Sequence, residues 1–211
     1  PGVAISAKAL GGSVSAKAGG LRDISVKLAA EELDLSKGNL KGFTGIDFAG
    51  TVSFSAALSM PRISVGGGPP EPDLGGATGT ISLETRGVMI NGGTANVVIP
   101  MYGAEPTPLD LPKIGLGDIN GKMKFEKGSG TIEELRSKSA DLEAGITGTL
   151  KLAKALPYSE PNLEIRFKPD PEFQKRLGMI GGIFAAVGPD PKDPNWRLGR
   201  LTGFLGKPNF R

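Results

Sequence analysis

Apolar and polar residues alternate with a period of two along most of this chain. Val3, Ile5, Ala7 and Ala9 are interleaved with Ala4, Ser6 and Lys8, and Ile24, Val26 and Leu28 with Ser25 and Lys27. The pattern returns at Val52–Ala56, Ile81–Leu83, Met123–Phe125, Leu150–Leu152 and Leu163–Phe167. Successive side chains of a strand point to opposite faces, so each run predicts a strand with one apolar and one polar side. Gly, Asn, Asp and Pro fall between the runs, where hairpins and meanders turn. Thr131–Ser139 fits a helical turn through Ile132 and Leu135. Its Gly-Ser-Gly flank and the alternation after it favour a strand.

A form Gly-x-apolar-x-apolar recurs at Gly50, Gly79, Gly121 and Gly148, at spacings of 29, 42 and 27 residues. The irregular spacing excludes a strict solenoid. It suits a sheet grown by repeated hairpins, with glycine supplying a tight strand entry or a bulge. Residues 66–76, Gly-Gly-Gly-Pro-Pro-Glu-Pro-Asp-Leu-Gly-Gly, predict a loop or a linker between two half-sheets that holds no ladder. Residues 100–112 carry four prolines and predict an extended spacer without strand pairing in its middle.

One helix breaks the alternation. Asp170 is a capping residue, Pro171 suits the first helical position, and Glu172 complements the positive end of the dipole. Gly188-Pro189 stops it. Phe173, Leu177, Ile180, Phe184 and Val187 then line one face over about residues 171–187. Burying five such side chains contributes on the order of 10 kcal/mol at roughly 1.5–3 each, and the internal glycines 178, 181 and 182 take part of it back. The helix is therefore expected to be stable only when docked on the apolar side of the sheet; Lys175 and Arg176 alone are too few for a membrane-surface helix.

The expected fold is mainly β: an extended, curved antiparallel sheet or open half-barrel of repeated hairpins, with this one C-terminal helix packed on it. It divides into an N-terminal β segment (1–65), the Gly/Pro-rich loop (66–76) and a C-terminal β domain (77–211). A closed outer-membrane barrel does not fit, because 12 aromatic residues cannot build two girdles.

Composition narrows the chemistry. With neither Cys nor His, there is no thiolate, disulfide, imidazole base or transition-metal site of the usual kinds. The acidic groups Glu133-Glu134, Asp141/Glu143 and Glu31-Glu32 with Asp34 are the candidate paired carboxylates. Adjacent strand residues diverge, and no calcium-loop spacing accompanies them. Gly117–Gly121, Gly128–Gly130 and Gly178–Gly182 lack the Lys-Ser/Thr and strand–helix context of phosphate loops. No catalytic residue, metal ligand or cofactor is expected. The net charge is only +3, but residues 192–211 hold Lys192, Arg197, Arg200, Lys207 and Arg211 against Asp193 alone. Arg197, Arg200, Lys207 and Arg211 are thus candidate contacts to a partner or an anionic surface. No nucleic-acid motif accompanies them. The uncharged stretch Leu177–Gly188 is too short to span a bilayer, which needs ~20 residues.

From Leu109 onward the order of features is more particular. Leu109-Asp-Leu-Pro-Lys-Ile-Gly-Leu-Gly117 is followed by Ile119-Asn-Gly-Lys-Met-Lys-Phe-Glu-Lys-Gly128 and Ile132–Glu143. Gly145-Ile-Thr-Gly-Thr-Leu-Lys-Leu152 and Asn162–Lys168 come next, then the helix and a closing Leu201-Thr-Gly-Phe-Leu-Gly-Lys-Pro-Asn-Phe210. This order resembles the C-terminal part of the type II secretion system protein N family, whose strands end in a helix and a final Leu-x-Gly-x-x-x-x-Pro-x-Phe/Trp strand. The resemblance covers roughly the last 100 residues and carries no catalytic residue. It implies a non-catalytic structural or interaction component of the secretion apparatus. Such a protein sits in the periplasm, tethered to the inner membrane by an N-terminal segment that this chain does not contain, and meets other envelope proteins. In style the chain is also similar to AsmA- and TamB-like envelope proteins, which implies the alternative of an apolar groove that binds or bridges lipid.

Overall fold

A computed structural model describes residues 2–64, 70–98, 106–178, 181–182 and 187–210. Its strands are β1 (Gly2–Ala9), β2 (Gly12–Gly19), β3 (Asp23–Asp34), β4 (Ile46–Ile63), β5 (Glu71–Pro72), β6 (Thr78–Val98) and β7 (Pro106–Leu111). They continue as β8 (Ile114–Glu126), β9 (Ser129–Lys138), β10 (Leu142–Lys151), β11 (Glu160–Pro169), β12 (Pro189–Asp190), β13 (Asp193–Phe204) and β14 (Lys207–Phe210). Two helices are described: α1 (Leu40–Thr44) and α2 (Pro171–Arg176). Every strand pairing is antiparallel, and the sheet runs in the order β1-β2-β3-β4-β6-β8-β9-β10-β11-β13-β12. β14 pairs with β13, β7 with β6 and β5 with β4. The mainly-β sheet with a small helical part is as expected.

Local chemistry sets the meander. Leu10 and Gly11 both take positive φ (50° and 79°) between the paired Ala9 and Gly12, which is the two-residue turn that matches strand twist. Lys127 and Gly128 repeat it between β8 and β9. Thr131–Ser139, ambiguous by pattern, falls almost wholly in β9.

Three expectations need correction. The 66–76 stretch does not separate two half-sheets: β4 and β6, on either side of it, pair along most of their length from Ile46↔Gly93 to Ser59↔Thr78. Within that stretch Glu71 and Pro72 pair with Ile63 and Arg62, and Leu74–Gly76 forms a 3-10 turn capped by the Asp73 side chain. The proline-rich run pairs as well, since β7 lies along β6 from Val98↔Pro106 to Gly93↔Leu111. Pro106 and Pro108 are two apart, so both missing N–H groups fall on one edge of the strand, an arrangement an edge strand tolerates; residues 99–105 lie outside the described residues. The helix is also shorter than its apolar spacing suggests. Asp170 caps it by accepting from Glu172 N–H (2.8 Å), but it ends at Leu177, and Gly178 turns left-handed at φ 54°. Residues 181–182 are helical again, and Ile180 and Phe184 lie outside the described residues. Helix α1, with Asn39 at its start and Gly45 (φ 77°) closing it onto the Lys41 carbonyl, has no period of apolar residues to announce it.

Buried apolar side chains gather in two clusters on the same side of the sheet, towards opposite ends of the strands. One joins Leu109, Ile114, Phe173 and Leu177, with Ile90, Leu111 and Leu116 packed around them. Phe173 is 1% exposed, and a buried ring of this kind stabilises by about 3–5 kcal/mol relative to Ala. Helix α2 is further held by an Arg176–Asp141 ion pair, Asp141 also accepting from Gly115 N–H (2.7 Å). The other cluster joins Met60, Ala77, Phe125 and Leu152, with Leu74 of the 3-10 turn over it. On the opposite, polar side, Ser, Thr, Lys and Glu alternate out to solvent, with ion pairs such as Lys122–Glu133 (2.9 Å) and Arg200–Glu164 (2.9 Å).

One acid is nearly inaccessible. Asp190 of β12 is 2% exposed, accepts from Lys192 N–H at 2.8 Å and pairs with Arg166, whose guanidinium lies 5.2 Å from the centre of the Trp196 ring. The Lys192 amide, chiefly, and then the Arg166 charge outweigh burial and hold the Asp190 carboxyl below the ordinary carboxylate range. A depressed folded-state pKa stabilises the fold above the unfolded value of about 3.9, and the contribution is lost as pH falls through the folded-state value. Thermal melts from pH 7 down to pH 2 should therefore show Asp190→Asn several degrees less stable than wild type at neutral pH, the gap closing below about pH 4. A gap constant across that range would place the carboxylate outside the stabilising network.

Candidate binding face

The register of the ladders lays one apolar residue per strand into a row that crosses the sheet. Ala7 faces Val14, Val14 faces Ala30, and Ala30 faces Phe54. Phe54 faces Leu83, Leu83 faces Gly121, and Gly121 faces Leu135. Six inter-strand steps of about 4.8 Å make this row roughly 29 Å long. It lies between the two buried clusters: β6 meets one near Ile81, the row at Leu83, and the other at Ile90. A hollow of about 350 Å³ opens at the same level of the sheet, walled by the polar-side residues Glu31, Ser53, Ser82, Glu84, Asn120 and Lys122 around Ala30, Phe54, Leu83 and Gly121.

Beyond the row the central ladders are interrupted. The β4–β6 and β6–β8 pairings shift register at one level, near Gly50, Gly87 and Gly117, with the extra residues on β6 and β8. These glycines take φ of 105°, 58° and 72°, and Gly50 packs so closely that a Cβ would sit 2.8 Å from the Arg86 carbonyl oxygen and Val88 Cα. Bulges bend the strands that contain them, so the central sheet turns along this line. Beyond it Val88, Ile90, Ile114 and Leu116 lie on the α2 side, and before it lie the residues of the row. A further bulge in β3 puts Glu32 at φ 50°, its N–H donated to Ser53 Oγ (3.0 Å).

The face is apolar in chemistry as well as in outline. Its buried hydroxyls are already engaged: Thr85 Oγ1 accepts from Ile119 N–H (2.9 Å), and Ser137 Oγ donates to the Leu116 carbonyl. Among the described residues no element lies over the row. The accessible surface of the chain is 13071 Å², against roughly 9,300 Å² for a compact monomer of this mass. Most of the apolar side is thus half-exposed where a second layer would ordinarily bury it.

The residues singled out from sequence separate into structural and dispersed sets. Phe173 and Leu177 are buried against β7 and β8, and Val187 is half-buried. The described part of the helix face therefore covers one end of the apolar side. Arg197 and Arg200, three apart on a regular stretch of β13, point to opposite faces, and Arg200 is paired with Glu164. Lys207 is exposed on β14, and Arg211 lies outside the described residues. Arg197 and Arg200 thus do not share a surface. The acidic candidates disperse too: Glu133 meets Lys122, Asp141 meets Arg176, Glu32 meets Arg86, and Glu143 sits opposite Lys138 and Lys168. Asp34 caps a 3-10 turn, and the Ser36 hydroxyl and N–H hold its carboxyl below the usual range. No group of three or more carboxylates comes together among the described residues, and no helix among them is long and apolar enough to cross a membrane. Sequence reading missed the transverse row. Alternation marks which residues share a face, but only register tells which of them line up.

No protein-family model, curated protein or solved structure matches this chain.

An uncovered apolar row should bind an apolar reporter dye in the folded state. At neutral pH the native protein is expected to enhance 1-anilinonaphthalene-8-sulfonate fluorescence. Ala30→Phe, which sets a ring across the row, should lower the enhancement severalfold with an unchanged circular dichroism spectrum. Equal enhancement by both proteins would place the dye elsewhere.

Proposed function

We propose that this chain is a non-catalytic envelope protein whose open sheet face holds lipid acyl chains. The observation that carries this reading is the transverse apolar row between two packed ends, over which no element lies among the described residues. A hydrocarbon core about 30 Å thick is shared by two leaflets, so a row of roughly 29 Å exceeds the reach of one acyl chain. Helix α2, had it lain across the row, would have argued against lipid; it docks at one end instead. The envelope setting, periplasmic with an inner-membrane tether, rests on the resemblance of roughly the last 100 residues to type II secretion system protein N.

A specific observation also favours the interaction role in that secretion system. β1 pairs with β2 alone among the described residues, in eight consecutive pairs without a bulge, and Val3 and Ile5 are 66% and 65% exposed. The opposite margin is blunted, with a two-residue β12, a four-residue β14, and Pro189, Pro194 and Pro208. An unprotected edge is a site for strand addition, here by another envelope component.

Two measurements test these readings. Organic extraction of the purified protein followed by mass spectrometry should recover phospholipid or fatty acid in stoichiometric amount, reduced severalfold in Ala30→Phe; lipid-free wild-type protein sinks the lipid reading. For the edge, a photoreactive residue at Ser6 should crosslink to a secretion-system component in intact envelopes, whereas one at Ser55, on the polar face of central β4, should not. Equal yields at the two positions would remove the case for strand addition.

A further inference from the structure

A second apolar feature lies apart from the row, at the tip formed by two loops. The β10–β11 connection makes a 3-10 turn at Leu156–Tyr158, and Leu205-Gly206 turns β13 into β14. The loops are tied by backbone: Leu205 N–H donates to the Ser159 carbonyl (2.9 Å) and Gly206 N–H to the Pro157 carbonyl (2.8 Å). Ser159 is completely buried, and its Oγ accepts from Ala153 N–H (3.1 Å). The Tyr158 and Phe204 rings meet edge to face, 6.5 Å apart at 81°. The tip is thus built and braced, yet Leu156, Tyr158, Phe204 and Leu205 are 54%, 67%, 48% and 37% exposed. Single exposed apolar residues are ordinary; four together on a braced tip mark a contact surface.

Charge selects the occupant. Residues 152–159 and 201–210 contain no Asp or Glu, and their only charges are Lys154 and Lys207. Lys154 reaches Glu71 of β5 at 3.4 Å, and β11 opens with Glu160. Aromatic and leucine side chains flanked by lysine suit the headgroup boundary of a bilayer, where rings sit among acyl carbons and ammonium groups meet phosphate. We propose that this tip inserts into the interface of a bilayer containing anionic phospholipid. The inference deepens the lipid reading, on which it rests, by naming the membrane as the partner that exchanges lipid with the row.

The test is co-sedimentation of the 211-residue protein with phosphatidylglycerol/phosphatidylethanolamine vesicles. Wild type should pellet with them, and Phe204→Ser/Leu205→Ser should weaken partitioning by about tenfold or more. Phe43→Ser, a lone exposed ring on α1, should leave it unchanged, and Lys207→Glu should weaken it most at low salt. Because the chain has no cysteine, Leu205→Cys carries a single environment-sensitive dye, which should shift to the blue on adding vesicles and so reports on insertion if the double variant fails to fold. Wild-type protein that stays in the supernatant, or a dye that does not respond, overturns the proposal in favour of a protein groove as the tip's partner. Extracted lipid separates this failure from that of the functional reading: acyl chains bound without vesicle partitioning sink the tip alone, and partitioning without bound acyl chains sinks the row as a lipid site.

Discussion

Everything in this molecule depends on a backbone ladder that is closed in register but buries only one side. Antiparallel pairing satisfies the peptide groups of successive strands from β1 to β13, and the strict alternation sends apolar side chains to one face and Ser, Thr, Lys and Glu to the other. A sheet of this size ordinarily closes on itself or packs a second layer. Among the described residues the second layer is α2 at one end of the strands and the Leu74 turn at the other. The stability that burial contributes is therefore concentrated at the two ends, and the middle of the face remains available for a ligand.

The line of glycines at 50, 87 and 117 decides how that availability is shaped. A flat sheet would carry the row as a shallow stripe. β6 and β8 bulge at the same level, beside Gly50 of β4, and the bend gives α2 a surface to dock on at one end of the row. Positive φ at these positions admits no ordinary side chain without strain, so the bend and the glycines come as one feature.

Much of this was legible from residue order. Alternation located the strands, including β9, where Gly-Ser-Gly outweighed the helical spacing of Ile132 and Leu135, and Asp170-Pro171-Glu172 marked the start of α2. What failed did so for identifiable reasons. The apolar spacing from Phe173 to Val187 is helical, but periodicity does not register a backbone that reverses at Gly178. Prolines at 106 and 108 read as a spacer because strand propensity counts a missing N–H as a lost bond. On an edge, two such losses facing outward cost nothing. Glycine at 66–68, 75 and 76 read as a boundary, although the long β4–β6 ladder forms across it. Glycine reports local freedom and carries no information about what pairs around it.

The row itself could not be read along the chain, because its members are between 7 and 38 residues apart in sequence and are brought together by register alone. The same holds for the tip, where Tyr158 and Phe204 come from separate hairpins. These two features share one logic. In each, hydrogen bonding fixes the backbone fully while apolar side chains are left outside any core. A fold that only needed stability would have spent those side chains on burial, as it does with Phe173 and Phe125. Rigid backbone beneath exposed apolar atoms lowers the ordering cost of an apolar contact. That is the physical reason to read both surfaces as places where something else binds.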